Sequence, residues 1–262
     1  MLGGQAVVRC GPGLLLAAGA ISLAACGVSG EGDWSSVRDR VRPGATPGEA
    51  TVRRVVTLGR SVRGRPISAV EVGNPSAAQR VLVVGCVHGD EPAGAPVAEA
   101  LAAGPGPARA DLWVVPVLNP DGMAARTRGN ARGVDLNRNF PAGWRPLDAL
   151  GSVEYSGPGP LSEPESRSAV DLIRRIRPTV GIWFHQNMAV VDDSEGPRDV
   201  EQRFARDVGL PLRALTDYPG SITGWENTLV PGSAFVVELP DGALSARSVR
   251  RYADAVRHIA DP

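Results

Sequence analysis

Residues 81–92 read Val81-Leu82-Val83-Val84-Gly85-Cys86-Val87-His88-Gly89-Asp90-Glu91-Pro92. Seven apolar or small residues run unbroken into a histidine, and a polar turn follows. So apolar and β-branched a run predicts a strand at 81–87 covered on both faces, as strands inside a parallel sheet are. A helical pattern takes over at 93–103. The same alternation recurs outward from this unit. Short β-branched runs at 52–58, 67–72, 112–117, 180–184 and 234–239 predict further strands. A second helix begins at Ser162-Glu163-Pro164-Glu165, which reads as a capping box with proline in the first turn. It continues through Val170, Leu172, Ile173 and Ile176 and stops before Pro178. A third, at about 245–259, carries Val249, Tyr252, Val256 and Ile259 on one face. Strands alternating with helices predict a layered α/β fold with a mainly parallel sheet.

In such a fold, polar residues that directly follow strands gather on one rim, where open α/β sheets build their sites. His88 follows 81–87, Asn119 and Asp121 follow 112–117, and His185 follows 180–184. Histidine is scarce, with only His88, His185 and His258. His88 and Glu91 form an H-x-x-E arrangement at a strand-to-helix turn, and His185 can add a third ligand. Two histidines and a glutamate form one known plan for catalytic zinc. H-x-x-E alone also describes an ordinary satisfied polar turn. Glu238 sits inside the apolar run Phe235-Val236-Val237-Glu238-Leu239. A carboxylate there is costly unless it is paired or functional.

The composition sets outer limits. The chain has 262 residues with 28 basic and 28 acidic side chains, so no net charge favours nucleic acid. Residues 1–25 read as a signal peptide, with the apolar run GLLLAAGAISLAA at 13–25 too short to span a bilayer. Leu23-Ala24-Ala25-Cys26-Gly27 resembles a bacterial lipobox. Cys26 would then be acylated, and the chain would be an exported lipoprotein on the outer face of the cell membrane. Plain secretion is the alternative. Residues 26–50, rich in Gly, Ser, Pro and charge, read as a tether, and 51–262 as the folded domain. Cys10 lies in the leader and Cys26 at the lipid site, so Cys86 has no disulfide partner and reads as a small buried hydrophobe.

Further segments carry a resemblance. Asn119-Pro120-Asp121-Gly122 is followed by Arg128 and then by Gly133-Val134-Asp135-Leu136-Asn137-Arg138-Asn139-Phe140-Pro141. With HGDE before them and FHQ and VVEL after, the chain resembles the zinc metallocarboxypeptidases of the carboxypeptidase A type. It is most similar to the short bacterial branch that includes murein peptide amidases. The resemblance implies a three-layer α/β/α sandwich around a mixed, mainly parallel sheet, holding one Zn2+ per chain. It makes His88, Glu91 and His185 the metal ligands. Glu238 becomes the general base that takes a proton from the attacking water and passes it to the leaving amine. Arg128 becomes the oxyanion-stabilising arginine. Asn137 and Arg138 become the grip on the substrate's terminal carboxylate, a task suited to a guanidinium fork. Asp135 reads as a structural partner of a ligand histidine. Tyr218 stands near where the family carries a mobile substrate-contacting tyrosine, although the loop here is shorter. His258 reads as structural.

The expected substrate is a peptide or murein peptide, cleaved beside a free carboxylate by a monomeric enzyme that binds no nucleic acid. The γ-D-glutamyl–diaminopimelate bond suits an exported protein facing the cell wall. A general C-terminal carboxypeptidase, an acylase-type zinc amidohydrolase and a non-catalytic wall-binding lipoprotein are the other readings. No residue in 219–233 decides which side chain the pocket accepts.

Overall fold

The computed structural model describes residues 52–193, 198–231 and 234–262. The signal, lipobox and tether expectations for 1–50 lie outside the described residues. The described chain forms a seven-stranded mixed sheet with helices on both faces. Its strands are β1 (Val52–Arg60), β2 (Pro66–Gly73), β3 (Gln79–Val84), β4 (Ala110–Val115), β5 (Val180–Asp192), β6 (Leu212–Arg213) and β7 (Ala234–Pro240). The order is β1-β2-β4-β3-β5-β6, and β7 also pairs with β5. The β1/β2 and β2/β4 pairs are antiparallel, whereas β4/β3, β3/β5, β5/β6 and β5/β7 are parallel. The expected mixed, mainly parallel sheet is thus present.

Alternation along the central strands explains the layers. Val81 and Val83 of β3 face one core, with α1 (Gly94–Ala103), α4 (Arg198–Val208) and α6 (Ala246–Ala260). Leu82 and Val84 face the other core, with α3 (Pro164–Ile176) and α5 (Ile222–Leu229). β1 lies at the sheet edge, and its charged Arg53, Arg54 and Arg60 discourage edge-to-edge pairing with another chain. Phe184, Phe204, Phe235 and Tyr252 meet edge-on or tilted in the first core. Each ring so buried contributes about 1.5–3 kcal/mol.

Two expectations need correction. The strand expected at 81–87 ends at Val84; Gly85 and Cys86 still bond to Val115 and Leu118, and the turn comes at His88, whose carbonyl accepts from the Glu91 amide. The capping box at Ser162 is absent. Glu163 is the residue before the helix and makes no side-chain cap. Its carboxylate accepts from Asn130 and Ser162 instead, and Glu165 accepts from Asn130 and from the Val62 amide. Both acids are drawn off the helix end to pin neighbouring loops. By contrast, Ser245 caps α6 through the Ser248 amide.

Candidate active site and metal centre

The rim at the carboxyl ends of β3, β4 and β5 gathers the polar segments. His88 leaves the end of β3, and Glu91 follows in the turn that leads into α1. The turn is tight because Gly89 presses on α2 (Pro120–Ala125). A Cβ on Gly89 would meet the Gly122 backbone at 1.9 Å. Asn119 caps α2 by accepting from the Gly122 amide, and its side-chain nitrogen donates to the Arg128 carbonyl. Asp121 turns away from the rim to accept from the Arg63 amide and the Arg65 guanidinium. His185 sits in β5, and Gln186 beside it donates its amide to Glu91 while its side-chain oxygen accepts from the Ala93 amide.

These contacts bring His88, Glu91 and His185 into one cluster, their ligating atoms all within 4.8 Å of one another. The two Nδ1 atoms lie 3.2 Å apart. Glu91 sets Oε1 at 3.0 Å from His88 Nδ1 and Oε2 at 3.0 Å from His185 Nδ1. Two nitrogen ligands of a tetrahedral zinc stand about 3.3 Å apart, so this donor set fits the ion. Asp135 Oδ1 lies 2.9 Å from His88 Nε2. That contact holds the proton on Nε2 and turns the Nδ1 lone pair toward the cluster.

The electrostatics suit a cation. Burial opposes charge on His88, but Asp135 and then Glu91 outweigh it and push the imidazole up to about 9. Burial likewise opposes the Glu91 carboxylate, yet His185 and His88 hold it far below the usual carboxylate range. Two imidazoles and a carboxylate turned toward one point are the donors a metal ion needs once they are deprotonated. Glu238 differs. Burial pushes its carboxyl up, against the pull of His185, and its Oε2 is enclosed without a hydrogen-bond partner.

The other expected residues line the same cavity of about 650 Å³. Arg128 donates from Nη1 to Glu91 Oε1 at 2.8 Å and from Nε to Asp135 Oδ2 at 2.9 Å. Asn137 accepts from the Ile222 amide, which joins the GVDLNRNFP segment to the start of α5. Arg138 is 4% exposed. It donates to the Asn137 carbonyl and to Glu154, and its guanidinium lies 4.0 Å from the centre of the Tyr218 ring. Tyr218 therefore sits at the site despite its shortened loop. That loop turns at Gly220 (φ 74°), where a Cβ would stand 2.3 Å from the Arg138 carbonyl oxygen. His258 lies away on α6, mostly exposed, against Asp207. Cys86 is buried and free, and burial pushes its thiol up to about 12. Sequence reasoning missed Glu154, Asp192, Asp217 and Thr223, which also line the cavity.

An α/β/α fold that brings two histidines and a glutamate together beside an enclosed glutamate with one unbonded oxygen defines a metal-dependent hydrolase. The zinc carboxypeptidase family profile matches residues 49–103 and 108–200, and the chain belongs to that family. Murein peptide amidase A of Escherichia coli K12 is 33% identical over 183 residues, 64% of this chain and 74% of the amidase. The crystal structure of a murein-tripeptide amidase from Escherichia coli O157 superposes with a TM-score of 0.66 at 28% identity. The match covers 85% of this chain and 96% of that one. A γ-D-glutamyl-L-diamino acid endopeptidase of Lysinibacillus sphaericus is 26% identical over 244 residues, 71% of this chain and 60% of its own. The chain is accordingly a zinc-dependent hydrolase with a carboxypeptidase fold.

Proposed function

We propose that this hydrolase cleaves murein peptides at an amide bond beside a free carboxylate, preferring the bond between γ-D-glutamate and diaminopimelate. One observation carries the reading: the buried Arg138 guanidinium and the His88–Glu91–His185 cluster open into one cavity with Glu238. A substrate whose carboxylate meets Arg138 would present its neighbouring amide to the cluster. The relatives named for murein peptides and γ-D-glutamyl bonds support that substrate class.

His88, Glu91 and His185 would hold the zinc, which when bound supplies Lewis-acid polarisation of the carbonyl and of water. Glu238 takes a proton from the attacking water and hands it to the leaving amine. Its raised affinity for protons suits a group that must accept one and then release it. Arg128, fixed by Asp135 and Glu91, offers its remaining N–H groups to the developing oxyanion. Asn137 uses its oxygen on the Ile222 amide, so its side-chain nitrogen is the end that donates to a carboxylate held by Arg138. Tyr218 covers the guanidinium face and would limit water there.

The test offers L-Ala-γ-D-Glu-diaminopimelate and a blocked dipeptide with a free C-terminus to the purified protein. Chelator-sensitive release of diaminopimelate is the expected result. Cleavage of the dipeptide alone would overturn the murein assignment. We further propose that Cys26 is acylated after removal of residues 1–25 and tethers a monomeric enzyme to the outer face of the cell membrane. Fatty-acid labelling that disappears in Cys26→Ala supports the anchor. A soluble, unlabelled exported product would support secretion instead.

A further inference from the structure

We infer that a second cavity, at the amino ends of β3 and β4, binds an organic phosphate monoester. It holds about 610 Å³ and lies at the opposite end of these strands from the metal centre. The inference stands apart from the proposed hydrolysis. The sheet builds one wall. Arg54 stands opposite Glu71, Glu71 opposite Trp113, and Asp111 opposite Arg80, on the neighbouring strands β1, β2, β4 and β3. Leu82 and Trp113 face the second core, so by period two this charged row takes the same face. The end of α3 adds Arg175, Ile176 and Arg177 to the cavity.

The wall carries four arginines and only two carboxylates, Glu71 and Asp111, both buried. Glu71 pairs with Arg54. Asp111 accepts from the Trp113 indole at 2.8 Å, and its Oδ1 is enclosed with no partner among the described residues. Burial pushes that carboxyl up to about 6, and Arg54 and Arg80 pull the other way without forming an ion pair with it. Among the described residues, Arg80, Arg175 and Arg177 have no carboxylate partner. Arg80 spends Nε on the Arg177 carbonyl, and Arg177 spends Nη2 on the Leu229 carbonyl. Arg175 rests over the Trp113 ring, 5.1 Å from its centre, which holds the guanidinium by its face and leaves its edge N–H groups to donate. One arginine near the end of a helix needs no ligand, because the helix dipole favours it. Three around one cavity repel one another, and an oxyanion removes that cost. Paired N–H donors match the oxygens of a phosphate. The excess of positive charge matches a monoester, which carries close to two negative charges at neutral pH. Val56, Trp113 and Ile176 give the organic part an apolar wall, and Asp111 offers an acceptor to its hydroxyl or amine.

A soluble polyol phosphate and a phospholipid headgroup share this chemistry. Calorimetric titration of the zinc-loaded protein with glycerol 3-phosphate, and flotation with vesicles of phosphatidylcholine alone or with added phosphatidate, tell the two apart. Glycerol 3-phosphate should bind, and more tightly than inorganic phosphate, a comparison that needs no substitution. Arg175→Gln, at an exposed side chain, should weaken that binding by at least about tenfold, since charge-assisted hydrogen bonds are the strong ones. Thermal unfolding of this variant should be unchanged. Arg138→Gln, in the catalytic cavity, should leave the binding as it was. Binding to phosphatidate vesicles alone, lost in Arg175→Gln, assigns the site to a lipid headgroup. Binding of neither probe, equal binding of inorganic phosphate, or a loss in Arg138→Gln with none in Arg175→Gln overturns the inference.

Discussion

His185 and Glu238 stand directly opposite one another on the adjacent parallel strands β5 and β7. Along both strands the alternate residues enter a core: Phe184 on one, and Phe235, Val237 and Leu239 on the other. By period two, His185 and Glu238 therefore project from the opposite face, the one that carries Trp183 and Ala234. Strand pairing alone thus fixes the distance between a ligand histidine and the proposed base. A one-residue slip in β7 would bury Glu238 in the first core and bring Val237 to the site. β5 then turns back after Met188, so that Val190 also pairs with Glu238 and the strand ends at Asp192 beside the cavity.

This placement makes Glu238→Gln informative. The amide keeps the shape and cannot take a proton. We expect kcat to fall by about 10²–10⁴, the usual worth of a general base, with zinc content unchanged. Metal analysis beside single-turnover kinetics checks both halves. Activity within a few-fold of the unaltered protein would remove Glu238 from the proton path.

Asp135→Asn tests how the cluster is held. Asp135 fixes the His88 tautomer and also ties down Arg128. Burial opposes its charge, yet His88 and Arg128 hold its carboxyl well below the usual range. Removing that charge weakens the basicity of the histidine, and zinc affinity should drop by about 10–100-fold. Competition with a chromophoric chelator measures it. Unchanged affinity would mean that the ring is oriented by its packing alone.

Much of this site is legible in the sequence because its parts are locally encoded. HGDE, NPDG and GVDLNRNFP are polar runs set against apolar strands, so each stands out in the sequence, although its contacts reach distant segments, as from Asp135 to His88 and from Asn137 to Ile222. Glu238 stands out because it interrupts an apolar strand. Asp192 does not, because it arrives by the return of β5. The residues between, Gln186, Asn187 and Met188, show no strand period, so the strand reads as ending at Phe184. Glu154 lies in a loop rich in Gly, Pro and Ser with no pattern to mark it. The helix α4 is not among the helices expected from the sequence, where its six charged residues outnumber Phe204, Ala205 and Val208 on its buried side. The two-residue β6 is held by tertiary pairing and leaves no local trace.

Glu154 occupies the guanidinium that a substrate carboxylate is proposed to use. Glu154→Gln should therefore favour substrate. Its side chain is 39% exposed, which limits the competing pair to about 1 kcal/mol. That converts to a KM roughly fivefold lower, with kcat little changed. Initial-rate kinetics on a free-carboxylate substrate and on its C-terminal amide separate the cases. The carboxylate substrate should gain and the amide should not. A rise in KM for the carboxylate would mean that Glu154 steadies Arg138 rather than competing for it.

Glu226 links stability to pH. It is fully buried on α5, its Oε2 accepts from the Trp183 indole at 2.9 Å, and burial pushes its carboxyl up to about 8 despite that bond. Below about 4.5, the carboxyl is protonated in both folded and unfolded chains and has no effect on the balance. Between that point and about 8, the unfolded chain loses the proton and the folded chain keeps it, so the unfolded state binds fewer protons and stability falls as pH rises. Above about 8 both forms are ionised and the loss is complete, on the order of a few kcal/mol. Glu226→Gln removes the ionisation while keeping an acceptor for Trp183. Its stability relative to the unaltered protein should rise between pH 5 and pH 9. Urea unfolding of both, at matched zinc, measures that difference, and zinc's own pH dependence cancels to first order. The consequence reaches the site, because the first residue of α5, Ile222, holds Asn137 through its backbone amide. A parallel course of the two proteins across the range would mean that Glu226 ionises in the fold as readily as in the open chain.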